Sequence, residues 1–275
     1  MKFSLHSFTF LSASIFLLAS CNKDEPTPQP PAPTVVKEYS VKMNAANEIA
    51  STTRTEASTA SVKIFSDNSV TLSSTFSNFT AGDVITMAHI HIGDAVNNGP
   101  VVLGFTIVAT GANVEGKATA VRQTLIDSLK NNVTDFYVNI HSTQLPAGLA
   151  RGQIGKNILQ AYSVILSGLS EPVPVTTTAT GVAIVRINED NRLISKITIS
   201  NMETADTLRF AHIHFGATGI NGPVLTNLAD TRNDFGNTQS RTIRATLTDS
   251  IGTRTVYVNV HSNFNPGGKL RGQIR

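Results

Sequence analysis

The chain has no tryptophan and only one cysteine in 275 residues. One thiol cannot close an internal disulfide, so each folded unit must rest on its own core. Charge is scarce: 15% of residues are Asp, Glu, Lys or Arg, and the formal net charge is +3. No basic cluster concentrates that excess, which removes the footing for nucleic-acid binding. Aromatics come to 6%, and no stretch shows the exposed aromatic row on which sugars or single-stranded bases stack. No Gly-x-Ser-x-Gly elbow, Walker loop, dinucleotide fingerprint or Cys-x-x-Cys pair is present. Nucleophilic and phosphoryl-transfer chemistry therefore has no residues to stand on. Low charge beside 40% apolar residues also excludes a disordered charged tail and argues against a coiled coil. The length suits two ordinary domains.

The first segment reads as an address. Lys2 supplies a positive start, and Phe8 to Leu18 form an apolar stretch too short to span a bilayer. It ends in Leu18-Ala19-Ser20-Cys21, which resembles the lipobox of bacterial lipoproteins. That resemblance implies removal of residues 1–20, diacylation of Cys21, and a lipid anchor in the outer membrane of a bacterial cell envelope. Acyl chains contribute about 0.8 kcal/mol per buried CH₂. Lys23-Asp24-Glu25 resembles a surface-export signal of Bacteroidetes lipoproteins, and reads equally well as a solvated spacer. Pro26, Pro28, Pro30, Pro31 and Pro33 then favour an extended polyproline II tether over residues 21–34.

The remainder is one unit written twice. Ala88-His89-Ile90-His91-Ile92-Gly93 returns 123 positions later as Ala211-His212-Ile213-His214-Phe215-Gly216. Asn98-Gly99-Pro100-Val101 returns as Asn221-Gly222-Pro223-Val224 at the same offset. Tyr137-Val138-Asn139-Ile140-His141-Ser142 returns as Tyr257-Val258-Asn259-Val260-His261-Ser262, now 120 positions on, as does Arg151-Gly152-Gln153-Ile154 at Arg271. A period this long fits a complete domain rather than a solenoid repeat, giving units over 35–156 and 157–275 with almost no linker. So short a joint predicts units that touch. Ser61 to Phe65, Val70 to Phe76, Val182 to Ile187 and Leu193 to Ile199 alternate apolar with small polar residues around Asp/Asn turns. That is the pattern of half-buried antiparallel strands. Thr124 to Lys130 spaces Leu125 and Leu129 for a short helix, and Gly252 predicts a briefer one at its counterpart. The expected architecture is all-β: two tandem immunoglobulin-like or Greek-key sandwich or barrel domains of about 120 residues.

Ala-His-Ile-His with its following Gly-Pro loop, Tyr-Val-Asn-Ile/Val-His-Ser and the closing Arg-Gly-Gln-Ile resemble the CHRD domain. That domain was first described in the chordin family and also occurs in bacterial secreted proteins. The resemblance covers nearly all of residues 35–275 as two copies and implies an all-β, immunoglobulin-like unit. In chordin the domain accompanies cysteine-rich growth-factor-binding modules that this chain lacks, so that role does not carry over.

Apart from His6, every histidine falls in a repeated motif: His89, His91 and His141, then His212, His214 and His261. In a strand, residues i and i+2 share a face. His89 and His91 therefore project together, as do Tyr137, Asn139 and His141, while the intervening apolar residues must face the core. Neighbouring strands would bring three imidazoles to one solvent-side patch, a donor set suited to copper or zinc. Tyr137, Asn139, Arg151 and Gln153, with Tyr257, Asn259, Arg271 and Gln273, are the side chains expected to support them. Each tyrosine is a candidate hydrogen-bond partner for a histidine, and each arginine for an anion or a carboxylate. Asp94 could add a carboxylate, but Ala217 holds the matching place. Gly99 and Gly222 read as turn residues that permit a positive φ.

Three functions stay open. The first is a binding module with one three-histidine site per unit. The second is a structural or adhesive module that holds a protein or glycan through exposed loops such as 93–98, its histidines forming a polar seam. The third is a redox enzyme, because His-x-His plus a distant His also resembles part of the copper site of Cu/Zn superoxide dismutases. Those enzymes use further histidines, an Asp and a disulfide that are missing here. Binding rather than catalysis is the leading expectation.

Overall fold

The computed structural model describes Met1, residues 31–50 and residues 52–274. Beyond Met1, the expected signal segment, Cys21 and the tether as far as Pro30 lie outside the described residues. The first unit is built from β1 (Val35–Asn44), β2 (Ala57–Phe65), β3 (Val70–Thr75), β4 (Ile85–Ile92), β5 (Val101–Gly104), β6 (Thr106–Thr110) and β7 (Asn113–Ala118). After α1 (Gln123–Asn131) it closes with β8 (Phe136–Ser142) and β9 (Ala150–Gln153). The second unit has β10 (Ile158–Ser167), β11 (Thr180–Asn188), β12 (Arg192–Ser200), β13 (Leu208–Phe215), β14 (Val224–Ala229) and β15 (Gln239–Thr242). It ends with α2 (Ala245–Thr253), β16 (Val256–Ser262) and β17 (Leu270–Gln273).

Each unit is one antiparallel sheet curled into a nearly closed barrel. The first sheet runs β5-β4-β8-β9-β1-β2-β3-β7-β6, and the second β14-β13-β16-β17-β10-β11-β12-β15. β5 and β6 stand at opposite ends of the first order, yet only Phe105 separates them in the chain. A single bent strand thus pairs with β4 through its first half and β7 through its second. The Phe105 N–H donates to the Ala88 carbonyl at 3.1 Å across the seam, which leaves almost no free sheet edge. The second unit is three residues shorter over this stretch. It keeps a counterpart of β7 in β15, which pairs β12, but has a 3₁₀ turn at Arg232–Asp234 in place of β6 and its hairpin turn.

Strand alternation fills the interiors. Ile85, Ala88 and Ile90 of β4 and Phe136, Val138 and Ile140 of β8 all point into one buried cluster. Ala211 and Ile213 of β13 with Val256, Val258 and Val260 of β16 point into a second. Each fully buried Val, Leu or Ile contributes about 1.5–3 kcal/mol, so two separate cores hold the units without a covalent staple. α1 adds Leu125, Ile126 and Leu129 to the first core. α2 is also nine residues long, against the expectation of a briefer helix. Gly252 sits one residue before its C-terminus, where loss of a side chain costs little.

The two units touch, as the short joint predicts. Arg186 of β11 is fully buried and donates to the Glu48 carbonyl of the first unit at 2.9 Å and to the Tyr162 carbonyl at 2.6 Å. Lys196 Nζ reaches Asn97 Oδ1 at 2.7 Å, and Thr238 Oγ1 reaches the Asp94 carboxylate at 2.8 Å. A face of the second barrel therefore lies against the loop that follows His91.

Candidate metal centre

β4 pairs β8 with Met87 opposite His141, His89 opposite Asn139 and His91 opposite Tyr137. β13 pairs β16 in the same way, with Phe210 opposite His261, His212 opposite Asn259 and His214 opposite Tyr257. Because Ala88, Ile90 and Ile140 turn inward, the histidines share the other face. The structure brings both expected trios together: His89, His91 and His141 offer ring nitrogens within 4.8 Å of one another, and so do His212, His214 and His261. Either group could hold a metal ion. His89 Nδ1 and His141 Nε2 lie 3.2 Å apart. Two ligands on a tetrahedral ion with Zn–N near 2.0–2.1 Å are separated by about 3.3 Å.

Backbone carbonyls select which nitrogen each ring presents. His91 Nδ1 bonds Gly99 O at 2.9 Å, and His141 Nδ1 bonds Pro146 O at 3.0 Å. In the second unit His214 Nδ1 bonds Gly222 O at 2.9 Å, and His261 Nδ1 bonds Pro266 O at 3.0 Å. A carbonyl accepts only, so each Nδ1 carries the hydrogen and each Nε2 is left with its lone pair. In the second trio, His212 Nδ1, His214 Nε2 and His261 Nε2 are all buried without a hydrogen-bond partner. Buried nitrogens are rarely left so, and here they converge. Desolvation, then the neighbouring imidazoles His141 and His91, lowers the pKa of His89. Desolvation likewise depresses His91 and His141, and it brings His212 down to about 4, assisted by His261 and His214. The rings are neutral at pH 7, the state that ligates.

The site is not solvent-side in the sense expected. All of β8 and β16 is buried on both faces, and only His89 and His212 are partly open. A stack explains the burial. The Arg151 guanidinium lies 3.4 Å over the Tyr137 ring, which stacks on His91 with centroids 4.8 Å apart and planes 9° apart. Arg271, Tyr257 and His214 repeat it at 3.4 Å, 5.0 Å and 12°. Tyr137 thus touches His91 with its face rather than its hydroxyl, which instead accepts from the Gly99 N–H at 3.0 Å. The Tyr257 hydroxyl accepts from the Gly222 N–H at 3.3 Å. The arginines do not pair directly with a carboxylate. Arg151 donates to the Asp94 and Asn97 carbonyls and to Asn98 Oδ1, and Arg271 donates to the Ala217 and Ile220 carbonyls. Gln153 and Gln273 donate to the Gly93 and Gly216 carbonyls. Together they clamp the loop over the imidazoles.

Three expectations about that loop change. Loop 93–98 is not a free contact surface, because Ala95 and Val96 are buried and Asn97 is bonded to the second unit. The Asp94 carboxylate accepts from Val96 N, Asn97 Nδ2 and Thr238 Oγ1, so it is committed to the loop rather than the histidines. Gly99 and Gly222 are required by space, not by φ: a Cβ would meet Ile92 O at 1.7 Å and Phe215 O at 1.8 Å. That close approach sets the carbonyl that fixes each His-x-His tautomer.

A family model for the CHRD domain matches residues 39–154 and again 162–274. The chain belongs to the CHRD domain family. No curated protein and no solved structure matches it.

Both CHRD domains contain a buried acid that the motifs did not reveal. Glu48 and Glu171 follow the first strand of each domain at the 123-residue offset, each after a 3₁₀ turn. Desolvation pushes Glu48 up to about 7, against Arg151, Arg186 and a hydrogen bond from Asn139, which favour its charge. Glu171 is raised by burial and accepts from Asn259 Nδ2 at 3.0 Å. Each asparagine next to the histidines therefore contacts an acid. The only signal in the sequence was the shared offset, in segments otherwise unlike: Asn44-Ala45-Ala46-Asn47 against Ser167-Gly168-Leu169-Ser170.

Proposed function

We propose that this protein is a lipoprotein, anchored through Cys21 to the outer membrane of a bacterial cell envelope, whose two CHRD domains each bind one copper or zinc ion through three histidines. The observation that carries the reading is the tautomer pattern. Four carbonyls hold the hydrogen on Nδ1, and the freed Nε2 atoms converge with the third ring. A purely structural polar seam would pair those nitrogens with donors; here they are buried with none in the second domain. Bound metal would supply the missing partner, as a positively charged acceptor of three lone pairs.

The test is metal content after incubation with zinc or copper and desalting, on protein purified without a histidine tag. Two ions per chain are expected, one for His91→Ala or His214→Ala, and none for the double variant. A metal-free wild type after loading would end the reading. Anchoring is tested separately: Cys21→Ala should move the protein from the detergent phase to the aqueous phase, and an unchanged partition would remove the lipid from the account.

A second reading, a module that binds a protein partner, is favoured by one surface of the second domain. Val173 and Phe264 are 82% and 64% exposed and line one cleft with Pro172, Pro174 and Pro266. Single exposed apolar residues are ordinary, but grouped ones mark contact sites. Binding there would survive the loss of both histidine trios.

A further inference from the structure

The two trios are close copies, but their fourth neighbours differ. Met87 and Phe210 occupy the same place in the repeat, one residue pair before His89 and His212 and directly opposite His141 and His261. Alternation puts residue 87 on the histidine face, because Ala88 and Ile90 face the core. In the second domain the Phe210 ring stands 5.0 Å from His212 and 4.8 Å from His261, centroid to centroid. A side chain from this position thus lies along the open edge of the trio. Met87 is 43% exposed and belongs to no core cluster, so packing does not account for a thioether there. The strand beside the trio differs too: β5 places Gly104, with no side chain, opposite His89, whereas β14 places Asn227 opposite His212. The second site also lies beside an ion pair, Asp230 with Arg241 at 3.1 Å, whose two charges act on His212 with opposite sign.

We propose that Met87 makes the first site selective for Cu(I), while Phe210 leaves the second a three-nitrogen site without that preference. The inference rests on reading the trios as metal sites. Thioether sulfur is soft and polarizable and favours Cu(I) over Zn(II), whereas imidazole alone serves either. Met on an unbranched chain can reach an ion that three rigid rings hold from one side. Phe can shield that side but donates no lone pair.

The test uses the full chain with Cu(I), kept reduced by ascorbate and competed with a chromophoric chelator, and in parallel with Zn(II). Wild type is expected to take one tight and one weaker Cu(I) equivalent, separated by roughly tenfold or more. Met87→Leu, which keeps the volume and removes the sulfur, should bring the tight equivalent down to the weaker one and leave both Zn(II) equivalents unchanged. Phe210→Met should raise the weaker Cu(I) equivalent. The proposal is overturned if Met87→Leu leaves Cu(I) binding unchanged, or weakens Zn(II) by the same factor, since shape rather than sulfur would then be at work. A wild type that binds neither ion removes the trios as metal sites altogether, an outcome that needs no variant to recognise.

Discussion

Four carbonyl oxygens, of Gly99, Pro146, Gly222 and Pro266, decide which nitrogen each of four imidazoles has left to offer. None of them could be assigned from side-chain pattern, because a carbonyl has no residue type. The alternation that put His89, His91 and His141 on one face was readable, since the apolar residues between them had to go inward. Their burial was not, because it comes from Arg151, some fifty residues on, which folds the loop after His91 back over the rings. Glu48 was missed for the same reason, and it supports a test of its own. Its folded pKa, about 7, lies above the unfolded value of about 4.3. For an acid so raised, stability is complete below the unfolded pKa and is lost as pH rises through 7. Glu48→Gln should therefore be stabilising at pH 8 relative to wild type, by on the order of 2–3 kcal/mol, and close to neutral at pH 4.5. Chemical denaturation at the two pH values measures it, and an equal effect at both would contradict the assigned shift.

At the scale of elements, each His-x-His strand and its partner are pinned at one end by an acid. Asp83 accepts from Ser142 Oγ at 2.7 Å, Thr143 Oγ1 at 2.8 Å, the Gln144 N–H at 3.0 Å and Arg54 at 2.9 Å. Asp206, at the 123-residue offset, accepts from the Phe264 N–H at 3.0 Å and pairs with Lys269 at 2.9 Å. The cations come from different segments, Arg54 before β2 and Lys269 before β17, so the repeat keeps the acid and not its partner. Burial works against ionised Asp83, but hydrogen bonds from Ser142, Arg54, Gln144 and Thr143 hold it well below the usual carboxylate range. Such a depressed acid contributes stability above about pH 4 that is lost as pH falls further. Asp83→Ala should cost about 2 kcal/mol, since it removes the acceptor of two hydroxyls and one of the two carboxylates on the Arg54 guanidinium, Glu56 being the other, and should speed amide exchange at Ser142 and Thr143 first. Unchanged exchange there would show that the pin is dispensable. Strands and turns around Asp67-Asn68 and Glu189-Asp190 were visible as alternation broken by polar residues. Barrel closure through Phe105 was not, because nothing local distinguishes one bent strand from two.

For the whole molecule, duplication produced two similar centres in unequal settings. The loop over the first trio is held by the second domain, through Lys196 on Asn97 and Thr238 on Asp94. Arg186, brought down to about 9 by burial and by Arg151 against the pull of Glu48, stays charged at neutral pH and ties the Glu48 backbone to β10. Arg186→Ala should uncouple the domains, so that calorimetry resolves two unfolding transitions where wild type gives one, with the lower one belonging to the first domain. A single transition in the variant would assign the coupling to the other contacts.

The most direct test of the trios is a zinc titration followed by long-range ¹⁵N–¹H correlation spectra of the six motif histidines. Before zinc, His91, His141, His214 and His261 should each show the tautomer with hydrogen on Nδ1. On titration, their Nε2 resonances should shift together with His89 Nδ1 and His212 Nδ1, and the change should be complete at two equivalents per chain. Hydrogens found on Nε2, or ring nitrogens indifferent to zinc, would contradict the account.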